Sequence, residues 1–166
     1  MRRTLLITRP EHDAGTSYLS KWSEKIIDLA EDKGIKVIDL HREKASRDRV
    51  IGTLEKTGTK LVILNGHGSD HSVHGHNNEV ILKEGDTRAV KDKIIYARSC
   101  RSAKSLGKNS IAQGALAYLG YEEDFIMYSD ETSAGKPLED KTAELFLEPS
   151  NYIPISLVKG HTAGDA

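Results

Sequence analysis

Two side chains in this sequence have the types and the placement to do chemistry together. Cys100, the sole cysteine, follows the apolar run Ile94-Ile-Tyr-Ala-Arg-Ser, and His67 follows another, Leu61-Val-Ile-Leu-Asn-Gly. A cysteine attacks as thiolate, and a free thiol with a pKa of about 8.5 is mostly protonated near neutrality, so it needs a neighbouring base. His67 is the candidate base and acid and Cys100 the candidate nucleophile, a catalytic dyad. The backbone N–H groups of Gly68 and of Cys100 itself are candidates for an oxyanion hole, because glycine lets a substrate carbonyl approach the main chain. Arg98 and Arg101 flank the thiol and would favour its ionised form, although strand alternation leaves open which of them turns toward it.

The elements that must bring these residues together read as alternating strands and helices. Thr4–Thr8, Ile35–Leu40, 61–65 and 94–98 are short apolar runs, and between them Leu19, Trp22, Ile26, Ile27 and Ala30, then Val50, Ile51 and Leu54, fall at helical spacing. Ser46 is placed to cap the second helix and Gly34 to end the first. This order predicts parallel strands with right-handed crossovers, whose carboxyl ends share one edge. His67 and Cys100 fall on that edge. Further on, residues 72–76 and 79–83 flank Asn77-Asn78 as a hairpin, residues 86–91 read as a short helix and 111–119 as another. Strands are expected at 125–128 and 152–158, with a helix at 139–147 between them. Thr162 opens what reads as the first turn of a further helix, so the chain is expected to be a domain cut from a longer protein.

Composition narrows the classes. The 166 residues suit one domain, 1–166, and 24 Lys plus Arg against 25 Asp plus Glu leave a net charge of −1, which gives no electrostatic case for nucleic acid or a membrane surface. One cysteine excludes an internal disulfide, and the absence of a leader-like stretch at Met1-Arg-Arg-Thr or of a long apolar run reads as cytoplasmic. Gly107-Lys-Asn-Ser110 echoes a phosphate loop but has Ser102 where its first glycine would stand.

A strand ending in His67-Gly68-Ser69, followed by a strand ending in Cys100, resembles the caspase-like clan of cysteine peptidases, and its gingipain, clostripain and CHAT-type branches in particular. The likeness covers most of the chain and extends into 111–120 and 154–158. It implies a caspase-like, three-layer αβα sandwich with a mostly parallel sheet of about six strands. It also implies an endopeptidase that acts through a thioester without cofactor or metal, on a peptide or protein substrate, with specificity for the residue before the scissile bond. His67 would be base and acid, Cys100 nucleophile, and Gly68 an oxyanion donor. The chain departs from caspases proper in carrying Arg98-Ser-Cys-Arg-Ser102, so aspartate specificity is not implied. The loop after the first strand offers Glu11 or Asp13 for a basic residue, or Arg9 for an acidic one; Asp13 is preferred, with Asp130 as a second acidic source.

Two other classes remain. One is a catalytically inactive interaction or signalling module on the same fold, controlled like the peptidase by flanking domains. The other is a metal-binding domain, because His67, His71, His74 and His76, four of the seven histidines, are spaced four, three and two apart.

Overall fold

Burial in the first strand already sorts the layers. In β1 (Thr4–Arg9), Leu5 and Ile7 pack into one apolar cluster and Leu6 into another, as alternation across a sheet requires. The cluster around Leu5 and Ile7 includes Ile26 and Ala30 of α1 (Ala14–Asp32) and Leu157 and Val158 near the end of the chain. The cluster around Leu6 includes Val50 and Leu54 of α2 (Arg47–Lys56), which follows β2 (Lys36–His41) and a single turn at Arg42–Lys44. Helices therefore cover both faces. The structure, a computed structural model, describes residues 3–166, so the leader reading at Met1-Arg2 lies outside the described residues. Among those residues no helix is long and apolar enough to cross a membrane.

The chain continues through β3 (Leu61–Asn65), β4 (His67–Gly68), β5 (Ser72–His74), a turn at His76–Asn78 and β6 (Val80–Lys83). Next come α3 (Thr87–Val90), β7 (Ile94–Arg98), a wide π-type turn at Ala103–Gly107, α4 (Lys108–Ala112), β8 (Ala117–Leu119) and α5 (Lys141–Lys159). The main sheet has five strands in the order β2-β1-β3-β7-β8, every pair parallel. β4, β5 and β6 make a separate antiparallel sheet, the expected hairpin with one more short strand. Asn77 and Asn78 take positive φ (53° and 60°) at its turn, a conformation that asparagine tolerates better than most residues.

Three expected elements differ. The helix expected over 111–119 is α4 and then β8, because Gly114 at φ 97° ends the helix and releases the chain to pair beside β7. The strand expected at 125–128 forms no ladder. Its alternation is real: Phe125 and Met127 pack on Tyr18, Leu19 and Trp22, while Ile126 and Tyr128 face solvent. The strand expected at 152–158 is the second half of α5, whose buried residues Ala143, Leu147, Ser150, Asn151, Pro154, Leu157 and Val158 recur at helical spacing. Pro154 has no N–H to offer Ser150 four residues back, and the Tyr96 hydroxyl donates to that Ser150 carbonyl instead, at 2.9 Å. About six main strands are therefore five.

α1 starts with a capping box in which Asp13 and Thr16 exchange hydrogen bonds, and its Trp22 is fully buried with Nε1 donating to the Pro137 carbonyl at 3.0 Å. Ser46 stands at the cap position of α2 without a side-chain cap bond; Glu79 accepts from the Arg47 N–H in its place.

Candidate functional site

Register carries the two predicted residues to one place. Asn65 ends β3 directly opposite Arg98, which ends β7, so His67 and Cys100, each two residues further on, emerge side by side at the carboxyl edge. Both line a cavity of about 70 Å³ with Gly15, Thr16, Gly66 and Ser99, room for a few water molecules. Two glycines make this approach possible. A Cβ on Gly66, at φ 152°, would fall 1.8 Å from the His74 carbonyl oxygen, and one on Gly68 would fall 2.5 Å from the Cys100 carbonyl oxygen. The main chain at Gly68 is thus pressed against the segment after β7 that carries the thiol.

A buried cation fixes this edge from below. Arg98 is fully buried, and its five N–H groups donate to Asn65 Oδ1, Ser150 Oγ, Asn151 Oδ1, the Leu19 carbonyl and Ser23 Oγ at 2.8–3.3 Å. No carboxylate is among these partners, and burial pushes the pKa of the guanidinium down. Asn65 completes the lattice by donating Nδ2 to the Thr8 carbonyl and to Ser23 Oγ. The ends of β1, β3 and β7 are thereby tied to α1 and α5. Arg98 therefore points away from the thiol, and Arg101 pairs at the surface with Asp70 and Asp124.

Thiol and imidazole are bonded to separate partners. Cys100 Sγ is directed at the Phe125 carbonyl, 3.9 Å away, while His67 Nε2 donates to Asp13 Oδ2 at 2.6 Å. Asp13 also caps α1, accepting from the Thr16 N–H at 2.8 Å. Burial raises the Asp13 carboxyl, but the bonds from Thr16 and His67 outweigh it and hold its pKa at about 2. Asp130, the second acidic candidate, accepts from Thr132 and donates its own N–H to Asp140. Glu11 binds His41, Arg42 and Ser20, and Arg9 is buried against Asp39 and Glu24. These loop charges are held by local bonds.

The four clustered histidines each bond a different partner, although His67 and His74 face each other across β4 and β5. His71 bonds Glu84 and His74 bonds Ser72, while His76 Nδ1 accepts the Glu11 N–H. Burial, and then the nearby His67, push the His74 pKa down. The residue that sequence reasoning missed is His12, whose ring lies edge-on to both His67 and His76 with centroids 5.7 and 5.5 Å away. Its side chain is only 10% exposed, and neither ring nitrogen has a hydrogen-bond partner among the described residues, a burial cost of about 1–3 kcal/mol per unmet group. Its position one residue before the cap of α1, in the loop after β1, was the available signal. A larger cavity, about 520 Å³, lies at the opposite edge between Arg3, Lys60, Leu61, Ile94 and Leu157, remote from this chemistry.

Fold and site together define an α/β domain with a parallel sheet and a thiol, two imidazoles and a carboxylate gathered at its carboxyl edge. No protein-family model and no curated protein matches the chain. Among solved structures it is similar to the signal receiver domain of a Luxo repressor protein from Vibrio parahaemolyticus, at 15% identity over 97% of this chain and 100% of that one, with a TM-score of 0.42. It is also similar to a response regulator protein from Burkholderia pseudomallei, at 12% identity over 92% of this chain and 75% of that one, with a TM-score of 0.37. At these scores no residue's role is carried across. Both neighbours are named as receiver or response-regulator proteins, neither as a caspase-like peptidase. In the structure itself the thiol and imidazole of the expected dyad are bonded apart. The caspase-like resemblance is corrected accordingly, and with it the cysteine endopeptidase activity, the peptide or protein substrate and the lean to basic residues through Asp13 and Asp130.

Proposed function

We propose that this chain is a non-catalytic interaction or signalling module, folded as one domain, whose carboxyl-edge site at His67 binds a ligand. The observation that carries the reading is the engagement of His67 Nε2 by Asp13 Oδ2 at 2.6 Å, while Cys100 Sγ faces the Phe125 carbonyl. An imidazole held this way is a binding group with a fixed orientation. Large apolar side chains left exposed at Ile126 and Tyr128, and at Leu145 and Tyr152 of α5, suit a domain that works by association. The single, unpaired cysteine supports a cytoplasmic setting.

The test is the rate at which iodoacetamide alkylates Cys100, measured against pH in the wild type and in His67→Ala. The expected result is slow labelling at pH 6 in both proteins, at equal rates. Fast labelling at pH 6 that disappears in His67→Ala would show a thiolate maintained by the imidazole and would sink the reading.

A further inference from the structure

We propose that His12, Asp13 and His67 form a binding site for a divalent transition-metal ion of the Zn²⁺ type. The inference deepens, and rests on, the reading of this edge as a ligand site by naming the ligand.

Three observations converge on the ion. The ligand atoms of the three residues all lie within 4.8 Å of one another. Asp13 Oδ2 stands between the imidazoles, 2.6 Å from His67 Nε2 and 3.6 Å from His12 Nε2. Donors bound to zinc at about 2.1 Å stand about 3.4 Å apart in a tetrahedron, so small side-chain rotations from the observed spacing admit the ion. Second, His12 is nine-tenths buried with neither ring nitrogen hydrogen-bonded, and a metal would take a lone pair that no hydrogen bond uses. Third, the backbone is arranged for it: the N–H groups of His12 and Asp13 both donate to Thr16 Oγ1, at 3.1 and 3.2 Å. Asp13 devotes Oδ1 to capping α1, which leaves Oδ2 facing the two imidazoles. One carboxylate and two imidazoles make a donor set that favours Zn²⁺, Co²⁺ or Ni²⁺ over Mg²⁺ or Ca²⁺, which prefer all-oxygen cages. Three protein ligands leave a position open to water or an exogenous group. His67 is 45% exposed, so the ion has a path from solvent.

The experiment uses the full chain stripped with a chelator and titrated with Co²⁺, followed by displacement with Zn²⁺. One equivalent should bind, with visible absorption of a low-symmetry Co²⁺ site. Asp13→Asn, which keeps a capping oxygen, and His12→Ala should each weaken binding more than about 100-fold, beyond the loss typical of an outer-sphere partner. His71→Ala and Cys100→Ser should bind as the wild type does. Thermal melting of the metal-free variants identifies any loss due to misfolding. No uptake by the wild type, or uptake unchanged in Asp13→Asn and His12→Ala, overturns the site, as does loss in Cys100→Ser. A degenerate peptide mixture incubated with the metal-free protein separates the two readings. Cleavage there refutes the non-catalytic module, whereas uncut peptides with no metal uptake refute the ion alone.

Discussion

Arg98 shows how one side chain can hold a functional edge without touching a ligand. Its guanidinium is satisfied only by neutral oxygens from β3, α1 and α5, so its charge is stabilised by five hydrogen bonds. Removing it takes the donor from Asn65 Oδ1 and Asn151 Oδ1 in the interior, while Ser23 and Ser150 keep their bonds to the Leu19 and Leu147 carbonyls. Arg98→Ala should therefore cost about 3–5 kcal/mol in urea unfolding, the range for a broken buried network. Arg98→Lys should recover only part of that, since an ammonium offers three donors from one point and cannot span the fork. A loss under about 1 kcal/mol in Arg98→Ala would mean that the network contributes little. The nearby thiol and His67 were legible in the sequence because each ends a continuous apolar run. Arg98 was legible only as a neighbour of Cys100. Strand alternation alone does not say whether a charged residue has enough partners inside to be buried, and these partners come from three separate elements.

At the scale of elements, α5 is the segment that sequence patterning misassigned. Ile153, Ile155 and Val158 are β-branched, and with Pro154 among them they read as a strand. Helical burial wins because Leu147, Ser150, Asn151, Pro154 and Leu157 lie along one face against the sheet, and because Tyr96 fills the acceptor that Pro154 leaves open. This compensation is testable as a double-mutant cycle. Tyr96→Phe should destabilise by about 1–2 kcal/mol in the natural background, and clearly less beside Pro154→Ala, where residue 154 regains an N–H for the Ser150 carbonyl. Equal costs in both backgrounds would dismiss the compensation. The first half of the fold was legible because β1, α1, β2, α2 and β3 each match one period over their full length. Past β3 the short elements depend on tertiary partners: β8 exists by pairing with β7, and the 125–128 segment keeps strand alternation without a strand to pair with. The burial of His12 was hidden for the same reason, since its neighbours His67 and His76 come from a hairpin far along the chain.

Over the whole molecule, Asp140 joins regions that are otherwise separate. Its carboxylate caps α5 through the Thr142 and Ala143 N–H groups and accepts from Tyr18 of α1 and from the Asp130 N–H of the preceding loop. Burial pushes its pKa up, and the hydrogen bonds from Ala143, Tyr18, Asp130 and Thr142 outweigh that and hold it below the ordinary carboxylate value. A depressed folded-state pKa means that the stabilisation is complete above the unfolded value of about 3.9 and is lost as pH falls through the lower folded value. The melting temperature should accordingly fall from pH 5 to pH 2, and Asp140→Asn, which can still cap, should flatten that decline. An identical acid limb in the two proteins would exclude Asp140 as a contributor. The same loop is held to α1 by the indole of Trp22, the only tryptophan in the chain, through the Pro137 carbonyl. The domain thus carries its own fluorophore at the seam between loop and helix. Opening that seam would wet the indole and shift its emission to the red, so local loosening can be followed optically without attaching a dye.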